Sequence, residues 1–207
     1  IVNMGVISNG TTLLDAGALD SDVATGKMTL IKTLTASNSA NLSFVDGASS
    51  VVFDGTYDSY VFKFIDIHPE TDDAKLMVNF RDGGTAYDAP KTTNFYRAQH
   101  GENGSNGQQG YRTDDDLANS TAVQPLTMDI GNGNDESASG EMTIFNPSST
   151  TFTKHFCATS SALYSGDFAM QSFAAGTINV TAAVDGVQFT MESGNFNGVI
   201  KLYGIGA

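Results

Sequence analysis

The strongest constraint in this chain is a hydrophobic period of two that recurs along most of its length. Tyr60, Phe62 and Phe64 fall on one side of a run whose other side carries Ser59 and Lys63. Leu42 and Phe44 alternate with Asn41 and Ser43, and Leu76, Val78 and Phe80 alternate with Lys75 and Asn79. Val187, Phe189 and Met191 alternate with Gln188, Thr190 and Glu192, and Ile200 and Leu202 flank Lys201. Successive side chains of a strand point to opposite faces, so the pattern specifies half-buried antiparallel strands. Residues 94–99, 123–129, 141–145, 151–159 and 168–174 supply further predicted strands.

Turn chemistry separates these runs. Asp46-Gly47, Asp54-Gly55, Asp82-Gly83-Gly84, Asn146-Pro147-Ser148-Ser149, Asp185-Gly186 and Ser193-Gly194 all interrupt the alternation. Such sequences set the backbone angles that tight connections need. About ten strands punctuated in this way imply two packed sheets. The expected fold is an all-β antiparallel sandwich, jelly-roll or lectin-like, over residues 28–207. No helical segments alternate with the strands, which excludes an α/β architecture.

Residues 1–27 break the pattern and read as a short N-terminal arm. Leu13, Leu14 and Leu19 form its apolar patch, and a short helix over this stretch is the expectation despite Gly17. Arms of this kind dock on a neighbour, which makes the three leucines candidate attachment residues. Met4-Gly5-Val6-Ile7 reads like a translation start, with Ile1 to Asn3 as an upstream extension. The glycine-rich segment 101–110 (GENGSNGQQG) reads as a mobile surface loop or a binding loop, and by itself favours the former.

Composition limits the partners. Apolar residues make up 40% of the chain, enough for a substantial core, whereas charged residues make up only 16%. The net charge of −13 repels phosphate backbones and anionic lipid, so neither nucleic-acid binding nor membrane insertion is expected. No run approaches the roughly 18 apolar residues of a membrane-spanning helix, and no basic segment precedes an apolar signal core. Cys157 is the single cysteine, so no intrachain disulfide forms, and its apolar flanks Phe156 and Ala158 predict a buried thiol.

Catalytic patterns are missing from the sequence. There is no Gly-x-Ser-x-Gly nucleophile motif, and His68, His100 and His155 stand apart from one another. His68, before Pro69, is expected in a turn, and His155 within a strand. Carboxylates are plentiful, and the groups Asp72-Asp73, Asp114-Asp115-Asp116 and Asp135-Glu136 stand out as material for a carboxylate pair, although sequence shows no such geometry. The segment 131–136 (GNGNDE) fits neither a nucleotide loop nor an EF-hand. It does offer oxygen ligands in Asn132, Asn134, Asp135 and Glu136, a candidate calcium loop; no other cofactor is suggested. Tyr87, Tyr96, Tyr111 and Tyr164, with Asp88, Asn94, Asp114 and Asp167 nearby in sequence, form a candidate carbohydrate-binding set.

Four stretches carry a resemblance to a known group. Residues 4–17 (MGVISNGTTLLDAG), 30–44 (LIKTLTASNSANLSF), 60–71 (YVFKFIDIHPET) and 130–156 (IGNGNDESASGEMTIFNPSSTTFTKHF) resemble virion structural proteins of marine tailed phages. The closing stretch 193–205 (SGNFNGVIKLYGI) is similar to the last strands of phage tail and fibre domains. The resemblance implies a virion structural component without fixing its position; together with the disulfide-free, acidic sandwich, the expectation is a non-enzymatic virion protein made in the host cytoplasm and displayed on the particle surface. Capsid decoration and a head or tail fibre subunit are the two placements, with decoration preferred because no coiled-coil or triple-β stalk is evident. The implied partners are other virion proteins and further copies of the chain, as in the trimers common among phage surface proteins. A lectin-like module that recognises host surface glycans is the alternative.

Overall fold

The computed structural model describes residues 6–8, 11–15, 18–19, 28–105 and 107–206. Among these residues there is no helix, and fifteen strands are arranged in three antiparallel sheets. The largest sheet has eight strands in the order β4 (Thr29–Ser39), β15 (Phe196–Ile205), β6 (Ser59–Pro69), β11 (Ala138–Phe145), β12 (Lys154–Tyr164), β13 (Phe168–Ile178), β8 (Lys91–Gly101) and β9 (Gln108–Tyr111). A four-stranded sheet follows the order β10 (Gln124–Pro125), β7 (Leu76–Arg81), β14 (Gly186–Met191) and β5 (Asn41–Val45).

The pairings are nested. β4 pairs β15, β5 pairs β14, β6 pairs β11 and β7 pairs β10, as if one long hairpin had been rolled up. The cross-pairings β15–β6 and β14–β7 close the roll. This is the connectivity of an eight-stranded jelly roll with two Greek keys. Two insertions enlarge it, β8–β9 between β7 and β10 and β12–β13 between β11 and β14, and both extend the same sheet.

The alternating aromatics hold the layers together. Phe62 of β6 meets Phe44 of β5 and Phe189 of β14 edge-on, each at 5.2 Å between ring centres. Phe189 also meets Phe64 at 5.4 Å, so one ring from the small sheet sits between two of the large one. Edge-to-face pairs add about 0.5–1.5 kcal/mol each beyond the area they bury. Phe80 and Phe156, 5.1 Å apart, repeat the contact between β7 and β12.

The four-stranded sheet is narrower than its partner, and segment 112–130 helps to cover the inserted strands. Ser160 Oγ of β12 donates to the Leu126 carbonyl at 2.8 Å, and Met128 N–H donates to Ser172 Oγ of β13 at 2.8 Å. Gln124, fully buried, donates to the carbonyls of Asp115 and Pro125 and accepts from Thr93 of β8. Among the described residues no buried side-chain nitrogen or oxygen lacks a partner. Segment 112–130 therefore covers the sheet without the cost of an unpaired buried side-chain polar group. At Gly198, where the pairing of β15 shifts register on both sides, φ is +134° and a Cβ would come within 2.8 Å of the Asp66 carbonyl. Only glycine fits there.

Several expectations need correction. Within 123–129 only Gln124–Pro125 is strand, because Leu76 N–H takes Thr127 Oγ1 at 2.9 Å in place of a ladder carbonyl. Segment 101–110 is the connection of a hairpin, with Gly101 closing β8 and Gln108–Gly110 lying in β9. Cys157 is exposed, since the alternation that buries Phe156 and Ala158 turns it outward between Thr143 and Ala175. His68 lies within β6 rather than in a turn. The helix expected around Leu13 to Leu19 is replaced by β1 (Val6–Ser8), β2 (Thr11–Asp15) and β3 (Ala18–Leu19), a small sheet of their own. β-branched Thr11 and Thr12 favour this outcome. Leu13 and Leu14 fall in β2, and Leu14 pairs Leu19 of β3. The start-like Met4-Gly5 and residues 1–3 lie outside the described residues.

The central ring cluster sets a measurable cost. Phe62→Ala is expected to lower stability by about 3–5 kcal/mol, read as a lower urea midpoint with an unchanged slope. A change below about 1 kcal/mol would mean that the two layers are not held by this contact.

Candidate functional site

The broadest surface built by the fold is the outer face of the eight-stranded sheet, and cross-strand register fixes what it presents. In one transverse row Tyr111 of β9, Tyr96 of β8 and Phe173 of β13 are direct neighbours. The row continues through Thr159 of β12, Glu141 of β11, Lys63 of β6, Lys201 of β15 and Thr33 of β4. Two residues along the strands lies a second row, Gln109, Ala98, Gln171, Ser161 and Ser139. The first row begins with aromatic rings, whereas the second carries amides and hydroxyls.

The rings are accessible. Tyr111 is 54% exposed and Phe173 40% exposed, with Tyr96 half-buried between them. Tyr96 and Phe173 lie 6.4 Å apart with their planes tilted by 56°. The Tyr111 hydroxyl donates to Asp116 Oδ2 at 2.5 Å, which raises its pKa. Beyond Phe173 an open depression of about 360 Å³ is lined by Lys63, Ser139, Glu141, Thr159, Ser161 and Gln171. Lys63 and Glu141 pair across it at 2.8 Å.

The four tyrosines of the predicted carbohydrate set do not converge. Tyr96 and Tyr111 come together, but Tyr87 packs near Arg81 and Gly186, and Tyr164 packs against Phe168 at 6.1 Å. Tyr111 takes Asp116 as its carboxylate partner rather than the predicted Asp114. Phe173, Gln171 and Ser161 were not foreseen. Phe173 stands between Ser172 and Ala174, and flanking residues this small leave the buried side of the strand undecided in sequence.

The candidate calcium loop is held by its own Glu136 and Asn132 side chains and by residues 68–72. The Glu136 carboxylate accepts from Gly133 N–H, Asn132 N–H donates to Asp72 Oδ1 at 3.0 Å, and Asn132 Nδ2 donates to the Glu70 carbonyl. Asn134 and Asp135 are exposed at the tip. His68 Nδ1 bonds the Glu136 carbonyl at 2.7 Å and ties the loop to β6. Among the described residues no three His, Cys, Asp or Glu side chains are grouped to hold a metal ion.

The acidic groups are engaged in structural contacts. Asp73 accepts from Ser165 Oγ at 2.6 Å, joining two turns. Asp115, buried, bonds Lys75 at 2.6 Å and Arg112 at 3.2 Å. Burial pushes the Lys75 ammonium down, but the hydrogen bond and charge of Asp115 outweigh it and hold the group above the ordinary lysine range. Burial raises the neighbouring Asp129 carboxyl despite Lys75 at 3.9 Å. Two other lysines are buried without an ion pair. Lys91 donates to Asn79 Oδ1 at 2.6 Å and to the Ala89 carbonyl at 3.2 Å, and burial lowers its pKa to about 8. Lys154 donates to the carbonyls of Phe152, Val180 and Thr181, and burial lowers it as well.

No protein-family model and no curated protein matches this chain. Among solved structures it is similar to a crystal structure of the infectious bursal disease virus VP2 subviral particle, at 13% identity and a TM-score of 0.14. The match covers 98% of this chain and 46% of that one. A score that low reflects no common superposition of the two chains.

Two outcomes follow from the buried charges. Asp115→Asn leaves Lys75 without its buried partner and is expected to cost about 3 kcal/mol, measured by urea unfolding at pH 7. For Lys91 the unfolded chain holds its proton up to the ordinary lysine value of 10.5, while burial brings the folded group down to about 8. Between these values the unfolded state binds more protons, so stability rises with pH, and Lys154 acts in the same direction. Lys91→Met is expected to flatten this rise between pH 8 and 9.5. An equal rise in both proteins would remove Lys91 as its source.

Proposed function

We propose that this chain is a non-enzymatic bacteriophage virion structural protein displayed on the particle surface, as a capsid decoration protein or as a head or tail fibre subunit. The observation that carries the reading is the outer face of the eight-stranded sheet, a wide, shallow surface on a rigid support. Its depressions are open, and Glu141, the acid that lines the one beyond Phe173, is paired with Lys63 at 2.8 Å. Surfaces of this kind act by contact, whereas catalysis draws on converging groups in an enclosed site.

The architecture is in keeping with this role, since jelly rolls serve in viral capsid and lectin domains. Fold alone does not assign function; the phage resemblance of the stretches around β4, β6, β11 and β15 supports a virion component without fixing its position on the particle. The negative charge adds a physical rationale: at −13 the chain resists self-aggregation and is repelled by packaged nucleic acid. Many copies on a symmetric shell would turn weak individual contacts into firm attachment.

The test is the composition and imaging of purified particles. The chain is expected in multiple copies per particle by mass spectrometry, and gold-labelled antibody against it is expected on the exterior. Its absence from purified particles, with the protein recovered only in the soluble lysate, would overturn the proposal.

A further inference from the structure

We propose that the strip formed by Tyr111, Tyr96 and Phe173 with Gln171 and Ser161 binds a neutral saccharide, its pyranose rings lying against the aromatic row. A pyranose presents an apolar C–H face and a rim of hydroxyls, and so needs a stacking surface beside a line of hydrogen-bonding groups. The outer face supplies both in register. The three rings stand on adjacent strands, spanning roughly 10 Å at the usual strand separation. The amide and hydroxyl row of Gln109, Gln171, Ser161 and Ser139 runs alongside, roughly 7 Å away along the strands.

Charge selects the class of ligand. The chain as a whole carries −13, yet the strip and its depression contain only Glu141, which Lys63 neutralises at 2.8 Å. Asp116 at the margin is engaged by the Tyr111 hydroxyl. A basic protein would be drawn to the unpaired acids elsewhere, whereas an uncharged polyol loses nothing on this balanced strip. The support is stiff as well. Tyr111 is held at its hydroxyl and the Phe173 ring packs against that of Tyr96 at 6.4 Å, so less side-chain freedom is lost on binding. All three rings stand on the inserted strands β8, β9 and β13, outside the eight that form the jelly roll.

This site is independent of where the chain resides, so the test uses purified full-length protein. The probes are a printed array of neutral and acidic oligosaccharides, with hits measured by titration calorimetry. Binding to neutral glycans is expected, weakened by about tenfold in Tyr111→Ala and in Phe173→Ala, and weakened also in Gln171→Ala. Phe152→Ala, which changes a ring 71% exposed in a different loop, is expected to bind as the parent does. All four positions are at the surface, and matching thermal midpoints would show that the variants are folded. No binding across the array, or parental affinity in folded Tyr111→Ala, would overturn the proposal. A dimer abolished by Phe173→Ala, with no glycan bound, would assign the strip to a second copy and overturn it equally.

Discussion

The stacking of Phe62 between Phe44 and Phe189 is the contact on which the rest of the molecule depends. It joins β6, in the middle of the original four-stranded half of the large sheet, to both β5 and β14 of the smaller one. Strands β4, β15 and β11 are then positioned by their ladders to β6 or β15. Without this aromatic layer neither sheet has a surface on which to bury its apolar side, because no disulfide or helix is present among the described residues to do so.

The inserted strands pose a different physical problem. Extending one sheet of a sandwich by β12, β13, β8 and β9 creates inward-facing area that the narrower sheet does not reach. Segment 112–130 helps to cover it, and because that segment is largely irregular it brings backbone polar groups inside. Ser160, Ser172, Thr93 and Gln124 satisfy them, and the Lys75–Asp115–Arg112 cluster anchors the segment to the start of β7.

This enlargement also produces the surface where function is proposed. Its inner side is occupied, but its outer side is free to carry residues that no packing demand selects. The exposed aromatics Tyr111 and Phe173 and the neutral row beside them occur on these additions. The surface reading and the virion reading concern different properties of the molecule, one what it touches and the other where it is carried.

Alternation in the sequence was enough to determine that the chain is all-β, which residues of β5, β6, β7, β14 and β15 face the core, and that Asp-Gly and Asn-Pro turns divide them. Those are local properties, set by the two-residue pleat and by backbone angles within a few positions. Sequence did not determine that Cys157 points outward, that Gln124 and Lys91 are buried, or that 112–130 lies across a sheet, because each depends on a partner tens of residues away. The candidate sites divide in the same way. Tyr96 and Tyr111 were recognisable as amphipathic rings, but only cross-strand register could join them to Phe173 and Gln171 and separate them from Tyr87 and Tyr164. Register is a tertiary quantity, fixed by which strands become neighbours, and here that choice belonged to the jelly-roll winding and its insertions.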